Sequence, residues 1–339
     1  MGDPWPDAPA PMYPAMIGGD MMGYGRLPRL LTYLKPDLVF MLNDVWALRD
    51  YLDRIPVEQK VVTYFPVDAV PLQKEWCAAV AARSIPVAYT KFGKSAVQKF
   101  AASANIRVIP HGIDTTTFYP IDTLQARSFL NSVTPEDFIV FNGNRNQPRK
   151  RIDLTIKGFA LFADNKPKTV KIYLHMGVND AGWNIITLCE RYGIADRLLL
   201  TSLQLAPDNG VSDERLNQIY NACDVGLNTS TGEGFGLVSF EHGACKKAQI
   251  VPNSSASIEL YADNGGYMIP IDHEEPNLGI LTNAQVVSPE GVAATLEECY
   301  NDPNREARAE QLFNFIKQPQ FDWANIGLQW DKVFEEALE

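Results

Sequence analysis

Short apolar runs alternate with amphipathic segments along the chain. In the first third, the pattern predicts buried strands at residues 37–42, 60–65, 86–90 and 106–110. The stretches between them, such as DVWALRDYLDRI, carry apolar residues at helical spacing. Strands that alternate with helices favour a parallel sheet with right-handed crossovers. An all-helical protein fits poorly, because the apolar runs are short and rich in β-branched residues.

The alternation breaks between residues 119 and 137 and then starts again. Further strands are predicted at residues 138–144, 170–177, 197–203, 224–230, 249–253 and 266–271. Three helical segments close the chain, at about 289–301, 303–317 and 322–338. We therefore expect two α/β domains that are joined near residues 120–136.

Composition narrows the class of protein. A chain of 339 residues, 46% hydrophobic and 21% charged, is long enough for two globular cores. Its net charge of −11 disfavours nucleic acid as the main partner. The apolar runs are too short for a membrane-spanning helix, and residues 1–22 lack the basic and apolar regions of a signal peptide. We expect a cytoplasmic protein without stable membrane insertion, although peripheral contact with a membrane stays open.

The cysteines and histidines indicate no metal site. The five cysteines are odd in number, scattered, and never form a CxxC pair, which is typical of reduced and buried thiols. The four histidines show no metal-ligand spacing.

Glycines and acids are crowded into one segment, TGEGFGLVSFEHGACKKA (231–248). Gly232, Gly234 and Gly236 lie where a predicted strand turns into a predicted helix. This turn is at the carboxyl end of a parallel strand, where open α/β sheets bind ligands, and the free N–H groups of a helix start attract anions. For the glycines alone, a tight turn without a ligand is an equally good interpretation.

The two glutamates of this segment favour the interpretation with a ligand. Glu233 and Glu241 would repel a bare phosphate, but they suit hydroxyl groups on either side of a diphosphate, as in a nucleotide-sugar. Cations for the diphosphate are available in FNGNRNQPRKRID (141–153), where Arg145 and Lys150 precede a helix. A solvated basic loop is the alternative, but cations at a helix N-terminus oppose the helix dipole.

These motifs resemble the retaining glycosyltransferases of family 4. GEGFGLVSFE is similar to their E-x7-E motif, and NRNQPRKRIDLTIKGFALF to their diphosphate-binding segment. VIPHGIDTTTFYP (108–120) and VPNSSASIELYADNGGYMIP (251–270) resemble further segments in the same order. The resemblance implies the GT-B fold, with two Rossmann-like domains facing a cleft. Residues 1–120, with a returning helix at about 322–339, would form the acceptor-side domain, and residues 121–321 the donor domain.

The resemblance also implies roles for individual residues. Glu233 would bind hydroxyls of the donor sugar, Glu241 would hold the ribose, and Arg145 and Lys150 would stabilise the leaving diphosphate. The glycine loop would assist through Gly234 and the backbone amides of Phe235 and Gly236. No cofactor is implied, because the nucleotide-diphosphate sugar is a substrate.

The first domain departs from the family pattern. No predicted strand precedes IGGDMMGYGRL (17–27), so we expect this domain to be reduced or to lack its first strand. Gly18 and Gly19 are candidates for contact with the donor. Many family members place a histidine in an early acceptor-side strand, but TYFPVDAVPL (63–72) offers Asp68 instead. His111, in the turn between the domains, is a weaker candidate for contact with the donor.

We therefore expect metal-independent transfer of a hexose, with retention of configuration, to a glycan, lipid or small-molecule acceptor. Two alternatives remain. A non-catalytic protein that binds nucleotide-sugars or glycans is favoured by the shortened first domain. An NAD-dependent oxidoreductase would need G-x-G-x-x-G after an opening strand, and GGDMMGYG lacks both the spacing and the strand.

Overall fold

Two parallel sheets, each flanked by helices, make up the computed structural model, which describes residues 9–13, 15, 18–130, 132–202, 205 and 209–339. The strands are β1 (Leu38–Leu42), β2 (Lys60–Phe65), β3 (Ile85–Ala88), β4 (Arg107–Val108), β5 (Phe138–Asn142), β6 (Val170–Leu174), β7 (Leu198–Leu200), β8 (Val225–Leu227), β9 (Ala248–Pro252), β10 (Tyr267–Ile269), β11 (Ile271–Pro276) and β12 (Asn283–Val287). The helices are α1 (Leu27–Leu34), α2 (Val45–Leu52), α3 (Lys74–Arg83), α4 (Lys91–Gln98), α5 (Thr123–Arg127), α6 (Ile152–Ala163), α7 (Ile185–Arg191), α8 (Asp213–Ala222), α9 (Leu237–Ala244), α10 (Ser255–Ser257), α11 (Pro289–Asn301), α12 (Arg305–Ile316) and α13 (Trp323–Leu338).

The first sheet has the simple order β1-β2-β3-β4, with all neighbours parallel. Val62 and Val87 at its centre are fully buried, because helices or the other domain cover both faces. β1 is an edge strand and the first strand of the described residues, and its Phe40 and Leu42 are 43% and 54% exposed.

The second sheet has the order β10-β9-β8-β5-β6-β7, again all parallel. The first strand of this domain, β5, lies in the middle, so the strand order reverses between β5 and β8. In open α/β sheets such a reversal leaves a crevice at the carboxyl ends of the two strands, where ligands bind. The fold therefore brings the loops after β5 and β8 together.

An apolar cluster joins the two domains. Tyr64 and Tyr89 of the first sheet pack in one buried cluster with Phe235 and Phe240 of the second domain. The last helix, α13, completes this cluster on the first sheet, where Trp330 meets the ring of Tyr64 edge-on at 4.8 Å. The C-terminal helix thus packs against the first domain.

An antiparallel hairpin, β11–β12, was not expected from the sequence. Its exposed strand β11 reads IDHEEP, without an apolar alternation that would mark it. Tertiary contacts hold the hairpin instead: Asn283 donates its backbone N–H to the carbonyl of Val70 in the first domain (2.9 Å), and Gln285 donates to that of Thr231 (2.9 Å). The hairpin therefore connects the two domains beside the glycine loop.

The five cysteines are buried and unpaired, as expected for structural thiols. Within the described part of the chain, no helix combines the length and the apolar character needed to cross a bilayer.

Candidate active site

Two loops meet at the reversal point of the second sheet. The loop after β5 runs from residue 143 to 151 and carries the basic residues, and the loop after β8 runs from residue 228 to 236 and carries the glycines. Backbone atoms fasten them together, since Thr231 donates its N–H to the carbonyl of Arg149 (2.9 Å). The sequence separates the two loops by about 80 residues, and the parallel sheet makes them neighbours.

The centre of the site is a buried ion pair. Lys150 Nζ donates to Glu233 Oε1 over 2.5 Å, and the two side chains are only 13% and 7% exposed. The carboxamide of Asn228 donates to the same oxygen (3.1 Å). Burial alone would raise the pKa of Glu233, but the charges of Lys150 and Arg149 outweigh burial and hold it below its ordinary value. Glu233 is therefore an anion whose first oxygen is already occupied by partners.

Arg149 connects this pair to the first domain. Its Nη1 donates to the carbonyl of Gly232 and lies 3.6 Å from both Glu233 Oε2 and Asp68 Oδ2. Burial raises the pKa of Asp68, Arg149 opposes that shift, and the charge of Glu233 adds to it. Asp68 thus faces the glycine loop across the domain boundary, and its contact with an acceptor stays a prediction.

A second acid of the first domain, Asp44, was not found from the sequence. It follows β1 and begins α2, so the topology places it at the same edge of the sheet as Asp68. Burial raises the pKa of Asp44, and the nearby charge of Asp68 raises it further. The only available signal, an acid after a buried strand, is too common to single out.

Arg145 is held apart from the central pair. Its guanidinium makes two hydrogen bonds to the carboxylate of Asp180, of 2.7 and 3.0 Å, and its side chain is 51% exposed. Asn146, which is fully buried, ties the loop after β5 to residues 177–183: its side-chain amide donates to the carbonyl of Trp183 (2.7 Å) and accepts from the N–H of the same residue (3.0 Å). Asp180 is thus a partner of Arg145 that no sequence pattern predicted.

The glycines of the loop have different reasons to be glycine. A Cβ at Gly232 would overlap the carbonyl oxygen of Asp68, and one at Gly234 would overlap the Pro66 side chain. Both glycines therefore allow a close approach between the domains, a reason that the sequence did not predict. Only Gly236, with φ +89°, needs the left-handed conformation. The predicted contact of Gly234 with a donor stays a prediction.

Free amides lie at the start of α9. Within the described residues, the backbone N–H groups of Phe235 and Gly236 have no protein acceptor. The N–H of Glu233 is satisfied by the hydroxyl of Ser255 (3.0 Å) and its carbonyl accepts from Ala256 (3.3 Å), so the loop is fixed from the side of α10. This geometry offers donors to an anion, as expected for a helix N-terminus.

Glu241 lies on α9 and is only partly exposed. Tyr220 of α8 donates its hydroxyl to Glu241 Oε2 over 2.7 Å. Burial raises the pKa of Glu241, and the hydrogen bond from Tyr220 opposes this. The two glutamates of the motif are therefore held by different partners, one by a lysine and one by a tyrosine.

His111 and Phe235 belong to the apolar cluster between the domains. Phe235 is 3% exposed, and the His111 ring meets it edge-on at 5.3 Å and Tyr89 at 4.2 Å. Burial lowers the pKa of His111 to about 4, so the imidazole is neutral at physiological pH. The site is thus bordered by a neutral histidine next to the loop, and its contact with a donor stays a prediction.

Gly18 and Gly19 lie in an exposed turn ahead of α1, both with positive φ. A Cβ at either would meet nothing within 4 Å, and among the described residues no hydrogen bond or ion pair joins this turn to the glycine loop. Their predicted place beside the donor remains untested.

In the described residues, no group of three or more histidine, cysteine, aspartate or glutamate side chains is arranged to hold a metal ion.

The architecture is similar to several solved glycosyltransferases. One is sucrose-phosphate synthase from Thermosynechococcus elongatus, with a TM-score of 0.69 and 16% identity; the match covers 92% of this chain and 76% of that one. Another is Anabaena HepE in complex with UDP-glucose, with a TM-score of 0.70 and 18% identity; the match covers 92% of this chain and 82% of that one. WaaG, a glycosyltransferase involved in lipopolysaccharide biosynthesis, is also similar (TM-score 0.69, 15% identity, 95% and 85%). The chain has the GT-B fold. The fold class expected from the sequence is therefore confirmed.

Sequence comparison finds curated relatives that match in part. D-inositol 3-phosphate glycosyltransferase from Mycolicibacterium vanbaalenii is 31% identical over 158 residues, covering 43% of this chain and 32% of the relative. The enzyme of the same name from Thermobispora bispora is 26% identical over 246 residues, covering 70% and 52%. The aligned part of this GT-B chain thus spans about a third to a half of those relatives. No protein-family model matches the chain.

Proposed function

We propose that this chain is a retaining glycosyltransferase of family 4, which moves a hexose from a nucleoside-diphosphate sugar to an acceptor hydroxyl without a metal ion. The observation that carries the proposal is the meeting of Lys150 and Glu233, from two loops, at the point where ligands bind in this type of sheet. The names of the similar proteins support the reaction class, and the UDP-glucose complex of HepE supports a nucleotide-sugar donor.

The charge of the leaving diphosphate would be met by cations and amides of the second domain. Lys150 has three N–H donors and uses one of them for Glu233, so it can also donate to a phosphate oxygen. The free amides of Phe235 and Gly236 add donors that need no reorganisation. Arg145 would join them by leaving or sharing Asp180. Because these groups can supply the stabilising charge, the proposal needs no metal ion.

Glu233 would bind hydroxyls of the donor sugar rather than attack its anomeric carbon. Its low pKa and its contact with Lys150 make the carboxylate a hydrogen-bond acceptor with little nucleophilic character. In a front-face reaction the anomeric C–O bond to the diphosphate breaks while the acceptor oxygen bonds to the same face. The acceptor proton then passes to the departing phosphate oxygen, so no protein base is required.

The acceptor would lie against the first domain. Asp68 and Asp44, at the carboxyl ends of β2 and β1, face the glycine loop and are suited to bind acceptor hydroxyls. We expect the protein to act in the cytoplasm, and at the membrane surface if the acceptor is a lipid.

A two-stage experiment tests this function. Thermal melts with UDP-, GDP- and ADP-sugars identify the donor, because a ligand that binds only the folded state raises the melting temperature. Transfer of labelled sugar to a panel of glycan, lipid and polyol acceptors is then measured for the wild type and for Glu233→Gln. We expect the variant to bind nucleotide and to lose at least about 100-fold in rate, which is typical of a lost transition-state contact.

The exposed Glu214→Gln on α8 is the matched control and should transfer at the wild-type rate. If the wild type binds a donor but neither hydrolyses nor transfers it, the chain is a non-catalytic nucleotide-sugar-binding protein. If no nucleotide-sugar raises the melting temperature, the proposed function is wrong.

A further inference from the structure

Glu241, the second glutamate of residues 231–248, is not a free carboxylate. Tyr220 Oη donates to Glu241 Oε2 at 2.7 Å, across the contact between α8 and α9. Because one oxygen is bound to the protein, the carboxylate plane cannot rotate freely, and Oε1 is left without a protein partner among the described residues. Glu241 is only partly buried, and this second oxygen keeps its capacity to accept a hydrogen bond from a ligand.

The phenol that holds Glu241 is itself fixed from several sides. Tyr220 is 2% exposed, with Phe141 edge-on to its ring at 5.3 Å and His242 stacked on it at 5.4 Å. His242 Nε2 lies 3.0 Å from the backbone carbonyl of Tyr220. Burial lowers the pKa of His242 to about 3, so the ring is neutral and donates a hydrogen bond to that carbonyl. Both the backbone and the ring of Tyr220 are therefore held in place.

The direction of the hydrogen bond is set by protonation. Burial raises the pKa of Tyr220 well above its ordinary value, so its hydroxyl stays protonated and acts as the donor. Burial also raises the pKa of Glu241, with a further contribution from the charge of Asp213 at the start of α8, while the hydrogen bond from Tyr220 lowers it. The thiol of Cys245 and the phenol of Tyr261 also lie near, and burial keeps both neutral. Tyr220 thus favours the anionic form of Glu241.

We propose that Tyr220 is a positioning residue for donor recognition, which orients Glu241 so that its free oxygen accepts a hydrogen bond from a ribose hydroxyl of the nucleotide. This inference rests on the proposed function, in which Glu241 holds the ribose. Tyr220 does not touch the donor. It determines where the acceptor oxygen points and lowers the pKa of its carboxyl against the effect of burial.

Tyr220→Phe isolates this role, because the ring keeps its packing and only the hydroxyl is lost. The nucleoside diphosphate among UDP, GDP and ADP that stabilises the wild type most is used as the probe. We expect its Kd to rise about tenfold, in the range for a hydrogen bond to a charged group. The donor KM should rise similarly, while kcat at saturating donor stays within about twofold, because the ribose contact is the same in the ground and transition states.

Two further measurements separate positioning from a general loss of structure. The preference for the ribonucleotide over its 2′-deoxy and 3′-deoxy analogues should fall in Tyr220→Phe, as it should in Glu241→Gln. As the pH is lowered, the affinity for nucleotide should begin to fall at a higher pH in Tyr220→Phe than in the wild type. The reason is that the variant loses the hydrogen bond that lowers the pKa of Glu241.

Tyr173→Phe is the matched control. Tyr173 is equally buried in the same apolar cluster, and its hydroxyl pairs with Thr201 (3.0 Å) instead of a site carboxylate. This variant loses the same atom and should keep the wild-type Kd, sugar preference and pH profile.

The outcomes are distinct. If the wild type binds nucleotide and Glu241→Gln weakens it, but Tyr220→Phe behaves like Tyr173→Phe, the positioning role is wrong and the proposed function stands. If Glu241→Gln has no effect on binding, Glu241 does not hold the ribose and the inference fails. If the wild type binds no nucleoside diphosphate, both the inference and the proposed function fail.

Discussion

Removing the ammonium of Lys150 should destabilise the protein in a way that depends on pH. Lys150→Met keeps the length and packing of the side chain but leaves the carboxylate of Glu233, whose side chain is 7% exposed, without its closest cation. Breaking a buried ion pair by removing one partner costs about 3–5 kcal/mol, because the remaining charge is uncompensated. The size of the effect here is determined by what else surrounds Glu233.

Two partners of Glu233 remain in the variant. Asn228 still donates to Oε1 at 3.1 Å, and Arg149 stays 3.6 Å from Oε2. Because the Arg149 side chain is 42% exposed, water screens its charge and it compensates only in part. We therefore expect a loss of stability at or just below the lower limit of that range, about 2–3 kcal/mol at pH 8. For a domain of this size that corresponds to a decrease in melting temperature of about 5–10 °C.

The pH dependence follows from the pKa of Glu233. In the wild type this pKa is below its ordinary value of 4.5. The ion pair therefore stabilises the folded protein fully above pH 4.5, and this stabilisation is lost only as the pH falls through the lower pKa of the folded state. In Lys150→Met, burial dominates and raises the pKa, so the folded variant takes up a proton more readily than the unfolded chain. Its deficit should be largest at pH 8 and should shrink as the pH falls towards 5.

Thermal melts and urea titrations of the wild type and variant at pH 8 and pH 5 measure this difference. The double variant Lys150→Met/Glu233→Gln should recover most of the loss at pH 8, because no buried charge remains. Lys168→Met is the control for an exposed ion pair. Lys168 pairs with Asp196, and the two side chains are 69% and 54% exposed. This substitution should therefore lower the free energy of unfolding by less than about 1 kcal/mol. Equal losses in Lys150→Met and Lys168→Met, or a deficit that is the same at both pH values, would refute the reasoning.

The remaining predictions concern the glycines and the metal. Gly232→Ala would place a Cβ against the carbonyl oxygen of Asp68, so it should lower the free energy of unfolding by about 1–3 kcal/mol and loosen the contact between the domains. The melting temperature and the rate of limited proteolysis measure these two effects. Gly327→Ala in α13 meets no atom within 4 Å and should instead stabilise by about 0.5–1 kcal/mol in the same melts; a loss there would contradict the helix assignment. EDTA should leave the initial transfer rate unchanged, and a loss that added metal reverses would exclude the metal-free reaction.

Much of the fold could be predicted because buried parallel strands leave a strong pattern. The predicted helices at 289–301, 303–317 and 322–338 are α11, α12 and α13 to within two residues at each end. The meeting of the loops that carry Lys150 and Glu233 was also predictable, since both follow strands of one parallel sheet and parallel strands share a carboxyl edge.

The rest depends on contacts that a single sequence does not encode locally. Asp180 pairs with Arg145 only because Asn146 brings the two loops together. Tyr220 looks like any buried aromatic of an amphipathic helix, and its role appears only when its hydroxyl is found on Glu241. The β11–β12 hairpin was missed for the same reason, because its register is fixed by Val70 and Thr231 rather than by its own alternation.

The structure also shows how Glu233 fits into a loop that offers amide donors to an anion. Lys150 and Arg149 neutralise Glu233, so the loop would not present a bare negative charge to a diphosphate. Lys150 keeps two N–H donors for the phosphate while its third holds the carboxylate that would bind the sugar. One lysine would therefore connect the sugar-binding oxygen with the leaving group. We accordingly expect Lys150→Met to impair both sugar recognition and departure of the diphosphate, whereas a substitution of Arg145, which is bound to Asp180, should impair only the departure.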